Sequence, residues 1–169
     1  MTKRGVTIKH AKLRGEWAEM RFMARATENG LQVAKPWGEM ARYDFAVEFE
    51  GRFVRVQVKS TMFVDRGGYA CSVRGWHGPY VGDAFDFAAI YLIPEDLWYI
   101  IPAARIRGQG SVAIYPKLRR SKYEVYREAW KLLRGGTKVG SIEACAEFQT
   151  LAFSSSFLTG CSGGSLALV

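Results

Sequence analysis

Apolar and polar positions recur along this chain with two different periods. In AKLRGEWAEMRFMARATEN, Leu13, Trp17, Met20 and Ala24 return at helical spacing and the run ends on Asn29-Gly30, which predicts a helix from Ala11 to Asn29. LQVAKP, from Leu31 to Pro36, reads as a short strand closed by Pro36 and Gly38.

The segment RYDFAVEFEGRFVRVQVKST then alternates strictly on both sides of Glu50-Gly51, as a tight β-hairpin requires. A two-residue loop sets Phe49 opposite Arg52 and, counting back, Asp44 opposite Gln57. One face carries Phe45, Val47, Phe49, Val54, Val56 and Val58; the other carries Asp44, Glu48, Arg55, Gln57 and Lys59. One side is dry, and polar groups converge on the other.

Gly68 to Arg74 reads as a further strand, and Trp76 to Asp83 (WHGPYVGD) as turn-rich. In that loop Trp76, His77 and Tyr80 read more readily as a cap on the sheet edge than as a loop entering a nucleic-acid groove. FDFAAIYLI and LWYIIPA, parted by Pro94-Glu95-Asp96, predict a second hairpin inside the core, so that a central mixed sheet results. KYEVYREAWKLLR, with Tyr123, Tyr126, Trp130 and Leu133 at helical spacing before Gly135-Gly136, predicts a helix from Lys122 to Arg134. Beyond Lys138 the chain turns to Ser, Gly and small apolar residues, an accessory tail with room for a short helix around Ile142 to Phe153 or for disorder.

Composition narrows the partners. The 169 residues carry 24 Lys and Arg against 16 Asp and Glu, a formal charge of +8 that favours a polyanion. Three cysteines, Cys71, Cys145 and Cys161, without C-x-x-C spacing support neither a disulfide framework nor a zinc knuckle and fit a reducing cytoplasm. With only His10 and His77 a histidine-metal centre is poorly supported, and no apolar run reaches the roughly 20 residues of a membrane span.

Hydrolysis of a phosphodiester needs a hard cation, oxygen ligands for it and a group that positions water. Asp44 and Gln57 supply ligands, with the Val58 carbonyl as a further one, and Lys59 sets an ammonium roughly 7 Å along the same strand face. A second carboxylate comes from the first helix, where either Glu16 or Glu19 reaches the sheet. Candidate phosphate contacts are Lys9, Lys12, Arg14, Arg42 and Arg66, the hydroxyls of Ser60 and Thr61, and Lys117, Arg119 and Arg120 in the run KLRRSK.

The stretch holding GEWAE, RYD and VQVKST resembles the PD-(D/E)XK nuclease superfamily, in its branch of intron-homing endonucleases and Holliday-junction-resolvase-like nucleases; the likeness covers about residues 10 to 134. It implies an α/β fold with a restriction-endonuclease-like core, a central mixed β-sheet flanked by helices. By the resemblance Glu19, rather than Glu16, matches the helix glutamate, Asp44 the metal-binding aspartate and Lys59 the catalytic lysine, with Mg2+ as working ion and Mn2+ as substitute. The sequence departs from the family at Tyr43, where proline is usual, and at Gln57, where an acid is usual. Gln57 keeps a carbonyl oxygen without the charge, so one tightly held ion is expected, with two-ion catalysis left open.

The expectation is a nuclease-like domain over 1–138, a tail over 139–169, DNA as partner, no membrane association, and a homodimer or homotetramer. The leading activity is DNA endonuclease, of homing or mobile-element type. A branched-DNA resolvase and a catalytically silent DNA-binding module are the alternatives.

Overall fold

The first helix, α1, runs Ala11–Glu28. His10 Nδ1 caps it by accepting the Leu13 N–H at 3.4 Å, Asn29 closes it, and Gly30, at φ 72°, turns the chain out through a conformation open to glycine. Its buried stripe is Ala18, Phe22 and Ala26, whereas Leu13 and Met20 are 53% and 54% exposed. At about 100° per residue the helix has two apolar stripes on opposite sides. The sheet takes the one holding Phe22, whose ring lies 5.4 Å from Phe45 and 5.7 Å from both Trp98 and Trp130.

The computed structural model describes residues 8–38, 40–75, 78–80 and 83–135, so the expected tail over 139–169, with its division at Lys138, and Trp76 and His77 lie outside the described residues. In chain order the strands are β1 (Gln32–Ala34), β2 (Phe45–Phe49), β3 (Arg52–Thr61), β4 (Val64–Asp65), β5 (Gly68–Ser72), β6 (Arg74–Gly75), β7 (Gly78–Pro79), β8 (Phe87–Leu92), β9 (Leu97–Pro102) and β10 (Ser111–Ile114). The main sheet has the order β1-β2-β3-β8-β9. Only the β3–β8 pair is parallel, which makes it mixed, as the patterns predict. The register of β2 on β3 is the predicted one, with Phe49 opposite Arg52 and Phe45 opposite Val56.

Strands β8 and β9 are apolar on both faces because both faces are covered. On one face α1 and the Trp130 region enclose Phe45, Val56, Tyr91, Trp98 and Ile100. On the other, a small sheet of order β10-β5-β4 packs Tyr69, Cys71 and Ile114 on Ile90, Tyr99 and Ile101.

The helix predicted from Lys122 to Arg134 does not form; the segment holds two 3-10 turns, Glu124–Tyr126 and Trp130–Leu133. Between them Glu128 adopts φ 46°, and its N–H reaches the Trp98 carbonyl at 2.8 Å. Its carboxylate accepts the Trp98 N–H at 2.8 Å and the Trp130 indole N–H at 2.7 Å. The exposed edge of β9 needs partners, and satisfying them outweighs continuing a helix rich in aromatic residues of middling propensity.

Candidate active site

Strand β3 changes partner along its length. Val56 faces Phe45 of β2 on one side and Phe87 of β8 on the other, but beyond Val56 only β8 continues. The sheet therefore forks. Asp44, just outside β2, holds on with its N–H to the Val56 carbonyl at 3.0 Å. Its carboxylate fills the fork, where Oδ2 accepts the Val58 N–H at 2.7 Å and the Gln57 Nε2–H. Backbone groups of alternate residues point to the same edge, so the Val58 carbonyl follows that of Val56 into the fork. Asp44 and Gln57, which the hairpin register sets opposite each other, meet here with the Val58 N–H.

Glu19 approaches from α1. It lies about 60° around the helix from the centre of the buried stripe, while Glu16 lies about twice as far and is exposed. Glu19 accepts the Lys35 ammonium at 2.7 Å with only 22% of its side chain exposed. Burial pushes the Asp44 carboxyl above its usual range and the charge of Glu19 adds to this, against the Val58 N–H, the Lys59 charge and the Gln57 amide. The Lys35 ammonium is pushed up in turn, chiefly by its bond to Glu19 and further by the charges of Asp44 and Glu16.

Lys59 is half-buried on the face of β3 that also carries Gln57, and its Nζ stands 5.5 Å from the centre of the Tyr80 ring. Tyr80 is held by an edge-on contact with Phe85 at 4.8 Å. Lys35 and Tyr80 are neighbours of the site that the sequence reading passed over for this purpose. Lys35 had a readable signal: the β1–β2 register, Ala34 opposite Ala46, sets it beside Phe45 and next to Asp44.

The remaining predicted residues scatter. Lys9 and Lys12 are exposed at the start of α1, and Arg14 donates to the Ile8 carbonyl at 3.2 Å while lying 5.9 Å over Phe63. That contact draws the start of α1 to the β4–β5 hairpin, whose turn exposes Arg66. Arg42 is exposed next to the fork, and Ser60 is half-buried on β3. Thr61 is 2% exposed and inward: its hydroxyl donates to the Ala70 carbonyl at 2.6 Å and accepts the Phe63 N–H at 3.1 Å. It stitches β3 to β5 and is not presented to a phosphate. Lys117, Arg119 and Arg120 are exposed in the turns after β10, outside the fork.

Among the described residues no three His, Cys, Asp or Glu side chains group together, so a soft or histidine-bound metal has no site there. The donors that do meet are two carboxylates, an amide and a peptide carbonyl, all hard oxygens suited to a cation such as Mg2+. The repulsion between Glu19 and Asp44 is what a cation relieves, and Lys35 supplies the positive charge in this structure. Gln57 turns its Nε2 toward Asp44, and half a turn of the amide presents Oε1 instead. The residues fit a hard divalent cation.

Residues 9–133 match the PD-(D/E)XK endonuclease family, a span that takes in α1, the fork and Lys59. No curated protein matches the chain. Among solved structures it is similar to the bacterial homing endonuclease I-Ssp6803I, with a TM-score of 0.65 and 30% identity over 75% of this chain and 93% of that one. The chain belongs to the PD-(D/E)XK endonuclease family.

Proposed function

We propose that this protein is a magnesium-dependent endonuclease that hydrolyses phosphodiester bonds of double-stranded DNA, of the homing or mobile-element kind, and works as a homodimer or homotetramer. The observation that carries the reading is the fork, where Asp44 bonds both Gln57 and the Val58 N–H beside Lys59 and Glu19. Asp44, Glu19, the Gln57 Oε1 and the Val58 carbonyl would hold Mg2+, with Mn2+ as a substitute. Bound there, the ion supplies charge neutralisation at the phosphate and a more acidic water. Lys59, whose ammonium rests over the Tyr80 ring, donates hydrogen bonds to the attacking water or to a phosphate oxygen and so orients attack. Lys35 leaves Glu19 free to act as a ligand when it turns to the DNA backbone. Lys9, Lys12, Arg14, Arg42, Ser60 and Arg66 extend the cationic and polar surface toward neighbouring phosphates, and Lys117, Arg119 and Arg120 grip the backbone elsewhere.

The test is a cleavage panel: supercoiled plasmids with randomised inserts, single strands and four-way junctions, each with Mg2+ or with chelator, the cut ends being sequenced. Asp44→Ala and Lys59→Ala should each lower the rate at least about 100-fold while DNA binding persists. DNA binding without metal-dependent cutting of any substrate would make the protein a silent binding module. Cutting confined to four-way junctions would make it a resolvase.

A further inference from the structure

The chain between β1 and β2, residues 35–44, closes a hairpin whose last pair is Ala34 opposite Ala46. Both ends of this loop are anchored in the active site. At the first end Lys35 bonds Glu19 at 2.7 Å, and at the other the Asp44 carboxylate takes the Val58 N–H at 2.7 Å. Between these anchors two large apolar side chains stand in solvent, Trp37 at 102% and Met40 at 94% exposure. Gly38, at φ 81°, makes the turn that separates them. A wholly exposed indole forgoes the free energy of burial, which becomes available only when something covers it.

Position and charge decide what covers it. Met40 is four residues from Asp44, so at most about 14 Å of extended chain separates them, equal to roughly four base-pair steps of DNA. Trp37 is two residues from Lys35, whose ammonium touches the other carboxylate. Lys35 and Arg42 flank the loop and Glu39 lies between Trp37 and Met40 in sequence, a net charge of +1 on a chain of net charge +8. A duplex whose phosphate lies at Asp44 and Lys59 has base steps within that reach of Met40. A flat aromatic ring and a flexible thioether match the faces and step edges of stacked bases.

Resting on the nuclease reading above, we propose that Trp37 and Met40 form a DNA wedge: Met40 packs on a base step within about four pairs of the cut phosphate, and Trp37 stacks on a base beside it. The wedge holds the duplex and distorts it at the cut, while the cations around it hold the backbone. It contributes affinity that does not come from charge.

The experiment measures anisotropy of a labelled 40-base-pair mixed-sequence duplex with Ca2+ in place of Mg2+, over a range of salt, for wild type, Trp37→Ala, Trp37→Phe and Met40→Ala. Trp37→Ala should weaken binding roughly tenfold at every salt concentration, leaving the slope of log affinity against log salt unchanged, because no phosphate contact is lost. Trp37→Phe should recover most of the affinity. Equal affinity of Trp37→Ala and wild type overturns the wedge alone, since the nuclease reading stands on the plasmid panel. A loss that appears as a shallower salt slope overturns it in favour of phosphate contact. A Trp37→Ala protein that falls to a smaller oligomer by light scattering overturns it in favour of a subunit contact. A wild type that leaves every DNA substrate uncut removes the nuclease reading and the wedge with it.

Discussion

Burial and the nearby Glu19 charge push the Asp44 carboxyl above the usual aspartate range, so the folded protein holds that proton more tightly than the unfolded chain does. The sign of the linkage follows. Such a group contributes stability that is fully present below its unfolded pKa and is lost as pH rises through its folded one; at neutral pH the ionised Asp44 is a net cost. Asp44→Asn keeps an oxygen for the Val58 N–H and removes the charge. In metal-free buffer at neutral pH it should raise stability by about 1 kcal/mol, roughly 4 °C in Tm, and the gain should vanish in acid, where the wild type is protonated as well. Added Mg2+ should stabilise the wild type and not the variant, which also loses cleavage. Thermal melts across pH, with and without the ion, check all of this; a variant less stable than wild type at neutral pH would refute the account. Thr61 shows the opposite case, a polar side chain wholly given to structure: Thr61→Val leaves the Ala70 carbonyl and Phe63 N–H without a partner and should cost about 2 kcal/mol in urea unfolding.

At the scale of elements, what could be read in advance was what local pattern determines. The β2–β3 register followed from strict alternation around Glu50-Gly51, because in a hairpin the loop length fixes the later pairs, and it left Asp44 at the strand end within hydrogen-bond reach of Gln57. Relations set by distant chain could not be read this way. The apolar spacing of Tyr123, Tyr126, Trp130 and Leu133 suits a helix, yet the residue that decides the segment is Glu128, through bonds to Trp98 thirty positions earlier. Thr61 looked available for the same reason, since Ala70 closes over it only once β5 has folded back. On α1 two stripes compete, and only the aromatic pocket of Phe45, Trp98 and Trp130 decides for Phe22. Glu128→Ala tests this tertiary control: it strips the Trp98 N–H and the Trp130 indole of their acceptor and should cost about 2 kcal/mol by urea unfolding. Substituting the exposed Val125 by Ala, in the same segment, should change stability by less than about 0.5 kcal/mol. Equal costs at the two positions would mean that the segment is held by its own periodicity after all.

For the whole molecule, the single fork proposed as the catalytic centre must be reconciled with the proposed substrate of two strands. The described residues bring Asp44, Gln57, Glu19 and Lys59 together once, on one edge of one sheet. The two backbones of a duplex run in opposite senses, so a single asymmetric centre presents itself correctly to one of them at a time. A two-fold pair of chains supplies the second centre in the matching orientation, since the local symmetry of the duplex backbone is also two-fold. On this account double-strand cleavage belongs to the pair and nicking to each chain. Light scattering should give a mass that is an even multiple of the 19.0 kDa chain. Co-expressed wild-type and Asp44→Ala chains, carrying different tags and purified through both, should nick supercoiled plasmid but leave few linear products. A mixed assembly that linearises the plasmid as fast as the wild type would show that one fork cuts both strands in turn.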